Sequence, residues 1–192
     1  TAAGDQDAIR SVRAAFEALR DADRRAQLIR YLEREAAVAP HLAEARSAQE
    51  RGDAEGELAC LLRVLDLLPE HERLLGRVCE LEVSLGRLAA AKEHAKRLIR
   101  IAPHHGAYLV EFGRILCLQA DFRRDAEGRR ALGSKALEAV RRGRERGGDG
   151  VGTVITESQV LWRLDRREEA RAVVARAFDA AHVLDSAGLT LG

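Results

Sequence analysis

Arginine is the residue whose spacing in this chain most readily suggests chemistry. Arg46, Arg77, Arg114 and Arg163, with Arg73 close to the second, recur along segments patterned as helices. A guanidinium can meet a carboxylate or phosphate through two parallel hydrogen bonds, so such a ladder could read an acidic or phosphorylated segment. The same faces carry Gln49, Glu50, Glu80, Glu111, Leu118, Gln159 and Trp162. The competing reading is that these arginines pair with neighbouring glutamates and solvate the surface. A second cluster joins Arg123, Arg124, Arg129 and Arg130 to Arg141, Arg142, Arg144 and Arg146. It could hold an acidic partner, a phosphorylated ligand or RNA. Only Phe122 is interleaved as a stacking platform, so a solvated loop whose arginines complement a helix dipole competes with that reading.

Other chemistry finds less support. Ser158 beside Glu157 lacks the local context of a nucleophile. Gly147-Gly148-Asp149-Gly150 lacks the Lys-Ser/Thr of a phosphate loop. His104-His105 follows Pro103 at a turn, while His41, His71, His94 and His182 are dispersed; metal binding needs ligands converging on one point, and no metal is expected. Cys60, Cys79 and Cys117 are an odd count without a CxxC pair, so they read as small buried hydrophobes in a reducing compartment. Trp162 reads as core or as ligand platform. No catalytic residue and no cofactor emerges, and the expectation is a non-enzymatic chain.

Composition sets the frame for these residues. At 192 residues and 46% hydrophobic the chain can build a core, and 33% charged with 32 basic against 31 acidic residues leaves a formal net charge of +1. That balance gives no global field toward nucleic acid or an anionic membrane, so nucleic acid is a disfavoured partner and membrane is not expected. No apolar run approaches the roughly 20 residues of a membrane span, and the N-terminus lacks the basic and apolar regions of a signal peptide. A cytoplasmic setting is the expectation. Few prolines and aromatics, with abundant Ala, Leu, Arg and Glu, suit close-packed helices.

The elements that must position the arginines show a period. Gly52 and Gly86 stand 34 residues apart, as do Pro69 and Pro103. A turn glycine, an amphipathic helix and a closing proline at that interval describe stacked helical hairpins. Ahead of them, residues 1–40 read as a helix pair serving as a cap or degenerate repeat. Its first helix, Asp5 to Arg20, carries Ile9, Val12, Phe16 and Leu19 on one stripe; its second turns Leu28, Ile29, Leu32 and Ala36 inward and stops before Pro40. Residues 41–192 read as repeats, one continuous domain with the pair before them. In the clearest repeats Leu58, Leu61, Leu62 and Leu65 follow Gly52, and Leu88, Ala91, Ala95, Leu98 and Ile99 follow Gly86. An insertion near 121–133 predicts a lengthened loop or an extended helix, with the pattern resuming at Ser134. A last hairpin places Val154, Ile155, Ser158, Leu161 and Trp162 on one helix, turns at Asp165-Arg166-Arg167, and lines the next with Ala170, Val173, Val174, Ala177 and Phe178. Ser186 to Gly192, short and glycine-bounded, reads as a frayed end or a cut linker.

These positions resemble the tetratricopeptide repeat. In the second repeat Leu75, Cys79, Gly86, Ala91, Ala95, Leu98 and Pro103 stand at the family's large apolar, small, turn-glycine, packing and closing-proline places. In the first, Ala45, Gly52, Leu65 and Pro69 match, and Glu57 departs where a small residue is usual. The resemblance implies an all-α, right-handed superhelical solenoid of about five antiparallel helix pairs, whose first helices line a concave groove. It further implies a protein or peptide ligand in that groove, contacting Arg46, Gln49, Arg73, Arg77, Glu80, Glu111, Arg114, Gln159 and Arg163. The family's lysine and asparagine clamp for a C-terminal carboxylate is not reproduced, because Leu42, Arg46, Arg77, Ala107 and Glu111 occupy its places. Such repeats serve as adaptors or stand beside catalytic domains such as bacterial glycosyltransferases. The expected function is therefore a module binding an acidic segment; covalent fusion to a catalytic domain, with this chain selecting its substrate, and an RNA-binding repeat are the alternatives.

Overall fold

The computed structural model describes residues 22–148 and 150–188; the helix expected over Asp5–Arg20 lies outside the described residues. Among those residues the regular elements are all α-helices, eight of them: α1 (Ala22–Glu50), α2 (Ala54–Leu67), α3 (Glu72–Ser84), α4 (Leu88–Ile101), α5 (Gly106–Asp121), α6 (Ala126–Glu145), α7 (Val151–Arg163) and α8 (Arg167–Gly188). They form two compact units, Thr1–Pro69 and Glu70–Gly192.

In the first unit α1 and α2 make a hairpin. Val38, Ala45 and Ala48 of α1 are buried, as are Leu58, Leu61, Val64 and Leu65 of α2. Glu57, which departs from the repeat pattern, is buried among them. The helix expected to end before Pro40 does not end there: α1 carries Pro40 in its interior. An interior proline removes the hydrogen bond to the carbonyl four residues back and its ring crowds that carbonyl. Here that carbonyl belongs to Ala36, which is exposed, so solvent can take the missing donor's place. Ile29, expected to face inward, is 49% exposed, and Ala36 is exposed as well.

The second unit stacks three hairpins, α3–α4, α5–α6 and α7–α8. Turn chemistry explains why the chain reverses where it does. Gly52 and Gly86 have φ of 70° and 72°, and Asp165 has φ of 59° at the same distance before its helix. Each closes the same motif, in which the next residue's N–H reaches back five positions: Asp53 to Ala48 O at 2.9 Å, Arg87 to Glu82 O at 2.7 Å, Arg166 to Leu161 O at 2.9 Å. Glycine takes this left-handed conformation without steric cost, and aspartate is among the few other residues that visit it. The prolines act through their predecessors: Leu68 and Ala102, with φ/ψ of −128°/68° and −126°/70°, close α2 and α4 in matching non-helical conformations, as a following proline disfavours the helical region.

The insertion near 121–133 is mostly helix. Asp125 caps α6 by accepting from the Gly128 N–H, so residues 122–125 alone connect α5 to α6 and helix resumes at Ala126, ahead of the expected Ser134. The surplus is taken up as length, 20 residues in α6 against 14 in α4. At the other end, α8 carries helix through Ser186 to Gly188, where fraying was expected.

Small residues set the spacing within the stack. Ala91 and Ala95 of α4 are buried against α3, and Gly113 brings α5 against Ala136 and Val140 of α6. A continuous apolar cluster of Leu116, Cys117, Ala136, Leu137, Val160, Leu161, Ala170 and Val173 joins α5 through α8. In the last hairpin Ile155 and Trp162 are exposed, the latter on the face chosen for binding, while Thr153, Thr156, Glu157 and Val160 are buried. The apolar residues of α7 alone do not distinguish these two faces, because threonine and a paired glutamate share the inner one.

Candidate functional site

Within the second unit the first helices of the three hairpins, α3, α5 and α7, are tied edge to edge by polar contacts. The Tyr108 hydroxyl on α5 donates to Glu72 Oε1 on α3 at 2.6 Å, with the His105 ring packed edge-on to Tyr108 at 4.6 Å. Burial, reinforced by that carboxylate, pushes the Tyr108 phenol up to about 12. At the other end of α5, Arg163 of α7 donates to Asp121 from Nε at 2.8 Å and from Nη2 at 3.0 Å. These contacts set the helices side by side as a wall.

The wall carries most of the residues chosen from sequence. Arg77 donates to Glu80 at 3.2 Å, one helical turn away. Arg114 grips Glu111 with two bonds, Nε to Oε2 at 2.8 Å and Nη2 to Oε1 at 2.6 Å. That hydrogen bonding outweighs partial burial and raises the Arg114 pKa above its ordinary value; Asp121 does the same for Arg163. Between the first two pairs lies Cys79, whose thiol is pushed up to about 12 chiefly by burial, with the Glu111 charge adding to it. Arg73 and Gln159 lie on α3 and α7, and Arg46 and Gln49 are exposed on α1 in the first unit. The structure therefore groups Arg77, Glu80, Glu111 and Arg114, and partners Arg77, Arg114 and Arg163 with carboxylates of this chain.

The second arginine cluster is divided by its contacts. Arg129 donates to the carbonyls of Arg123 and Arg124 at 3.0 and 3.1 Å, bracing the α5–α6 connection. Arg141 and Arg144 converge on Glu157, which is 1% exposed, at 3.3 and 2.6 Å. Arg146 caps the Pro103 carbonyl at 2.6 Å. These four hold helices and turns in place, and Arg123, Arg124 and Arg130 remain as exposed cations.

Two recesses lie on this unit. One of about 400 Å³ is bordered by Ser158, Gln159, Trp162, Arg163, Ala170 and Val174. Trp162 is 55% exposed, with the Arg167 guanidinium 5.3 Å from its ring centre, so it is a surface platform and not core. The other, about 450 Å³, lies beside Phe122 and Lys92. Sequence reasoning missed Lys92 there, because nothing in α4 alone shows that it faces the α5–α6 connection. Among the described residues no group of three His, Cys, Asp or Glu side chains is placed to hold a metal ion, and no helix is long and apolar enough to cross a membrane.

No family model matches the chain, and no curated protein sequence matches it. Solved structures do. TTC0263, a thermophilic TPR protein of Thermus thermophilus, is similar with a TM-score of 0.64 and 17% identity, over 74% of this chain and 73% of that one. A mutant of the Thermobaculum terrenum O-GlcNAc transferase is similar with a TM-score of 0.52 and 19% identity, over 67% of this chain but 22% of the transferase. The fold is that of tetratricopeptide-repeat proteins: all-α, built of helical hairpins.

Proposed function

We propose that this chain is a protein-interaction module whose α3–α5–α7 wall receives an acidic segment of another protein. Three adjacent helices each carrying an arginine held by a carboxylate support this reading. Such pairing fixes the guanidinium before a ligand arrives, which lowers the ordering cost of binding. The Glu111 pair leaves Nη1 of Arg114 outside its two bonds, so a ligand carboxylate can be added without breaking the pair. Arg73, Glu80 and Gln159 supply further contacts on the wall, and Arg46 and Gln49, exposed on the first unit, are candidate contacts of that unit by itself. The free thiols of Cys60, Cys79 and Cys117 suit a cytoplasmic, reducing location.

Changing Arg46, Arg77 and Arg114 together to Glu tests the reading. Partner recovery in a quantitative pull-down should fall sharply while the circular dichroism spectrum stays helical. Recovery equal to wild type would clear these arginines of any part in binding.

A second reading, that the chain selects substrates for a larger enzyme, draws on the likeness in fold to part of an O-GlcNAc transferase. The reading frame on either side of Thr1 and Gly192 separates the two, since a catalytic domain in frame favours selection.

A further inference from the structure

The connection between α5 and α6 exposes an aromatic ring among cations. Phe122 is 78% exposed. With Leu88, Ala89 and Leu132 it borders the recess of about 450 Å³, which Gly86, Lys92, Gln119 and Arg123 complete. All of these belong to the second unit, drawn from the α3–α4 turn, the start of α4, the end of α5 and the start of α6. The wall arginines Arg77, Arg114 and Arg163 are each held by a carboxylate of this chain. Here the balance differs. The side chains of Arg123 and Arg124 make no ion pair among the described residues, and the nearest acids are occupied: Asp121 by Arg163 and Asp125 by the α6 N-terminus. Glu127 in the first turn of α6 and Glu93 beside Lys92 add carboxylates, against Lys92, Arg123, Arg124 and Arg130.

We propose that this recess is a second binding site, separate from the wall, for an acidic peptide bearing a bulky apolar side chain. The apolar side chain lies against Phe122, Leu88 and Leu132, and flanking carboxylates meet Lys92 and Arg123. The volume falls in the range of ligand pockets, about 300–1,000 Å³, room for a side chain or two. Charge complementarity selects an acidic partner. The lining selects peptide over nucleic acid: single-stranded nucleic acid wants successive aromatic platforms, and one ring stands here beside aliphatic walls. Gln119, the residue able to read a base edge, already donates to the Leu88 carbonyl at 3.0 Å.

Fluorescence polarisation with a labelled peptide, a central Phe between runs of Glu and Asp, tests the site. The peptide should bind, more weakly as salt rises. Binding should drop about tenfold or more for Phe122→Ala and disappear for Lys92→Glu combined with Arg123→Glu. Because Phe122 is exposed, its removal leaves the fold intact by circular dichroism. The wall variant, Arg77→Glu with Arg114→Glu, should bind this peptide as wild type does. Absence of binding, equal binding by Phe122→Ala, or equal binding of a peptide with Ser in place of Phe overturns the proposal. Tighter binding of an oligouridine, lost on the same substitutions, overturns it in favour of nucleic acid.

Discussion

Two glycines inside first helices make opposite predictions on the same substitution. Gly76 of α3 has nothing within 4 Å of where a Cβ would stand. Replacing it with Ala removes the backbone-entropy cost of glycine in a helix interior and should stabilise the protein by about 1 kcal/mol. Gly113 of α5 would gain the same amount from propensity, but its Cβ would lie 2.6 Å from Val140 Cγ2 and 2.8 Å from the Ala136 carbonyl oxygen. Carbon atoms pack at about 3.5–4.0 Å, so the methyl intrudes by roughly 1 Å. Val140 is fully buried and, being β-branched, has little rotamer freedom. The Ala136 oxygen is backbone. Relief must come from parting α5 from α6, an overpacking cost of about 1–3 kcal/mol. The propensity gain is common to both variants and cancels between them. The two melting points should therefore differ by about 2–12 °C, at about 2–4 °C per kcal/mol for a chain of this size, with Gly76→Ala above wild type. Thermal melts followed by circular dichroism read this directly, since both glycines lie in the second unit. If Gly113→Ala melts alongside Gly76→Ala, α5 and α6 do not approach as closely as their packing requires.

Ala91→Leu should cost about 1–3 kcal/mol in urea denaturation by overpacking, because Ala91 has no exposed surface and its carbonyl lies 3.4 Å from the Cys79 sulfur. Glu157→Ala should cost about 1–3 kcal/mol in the same assay, by stranding Arg141 and Arg144. Removing one partner of a fully buried pair costs more, about 3–5 kcal/mol, but these arginines are 40% and 41% exposed and can rehydrate. Alkaline pH should destabilise the fold. Cys79 and Tyr108 are raised from ordinary values of 9.0 and 10.0 to about 12, so between about pH 9 and 12 the unfolded chain binds fewer protons and stability falls as pH rises. Denaturant midpoints across that window should decline less steeply for Cys79→Ala combined with Tyr108→Phe than for wild type.

Much of the stack was legible in the sequence because turns advertise themselves. Gly52 and Gly86 mark the left-handed turn positions, Pro69 and Pro103 fix the conformation of the residues before them, and Ala91 and Ala95 mark close helix contacts. Asp165 occupies the same left-handed position without being glycine, and its place in the sequence as a turn was still readable from the charged run around it. Features that depend on partners distant in sequence were harder to read. Pro40 looks like a helix end because its missing N–H is local, whereas whether water can reach the orphaned Ala36 carbonyl depends on the packing of the whole unit. The α6 extension is capped by Asp125 alone, inside a run of charges and glycines that reads as loop. Glu157 and Glu82 look like surface residues until Arg144 and His94 arrive beside them at 2.6 and 2.8 Å. The arginine ladder was legible as a set, but the carboxylate of Asp121 that meets Arg163 lies 42 residues away in the chain.

Hydrogen–deuterium exchange on the chain alone and in complex with a partner protein that it recovers tests the binding wall most directly. Exchange should slow in α3, α5 and α7, strongest around Arg77 and Arg114, with α4, α6 and α8 little changed. Slowing confined to residues 86–92 and 119–132 would contradict the wall and move the partner to the recess beside Phe122.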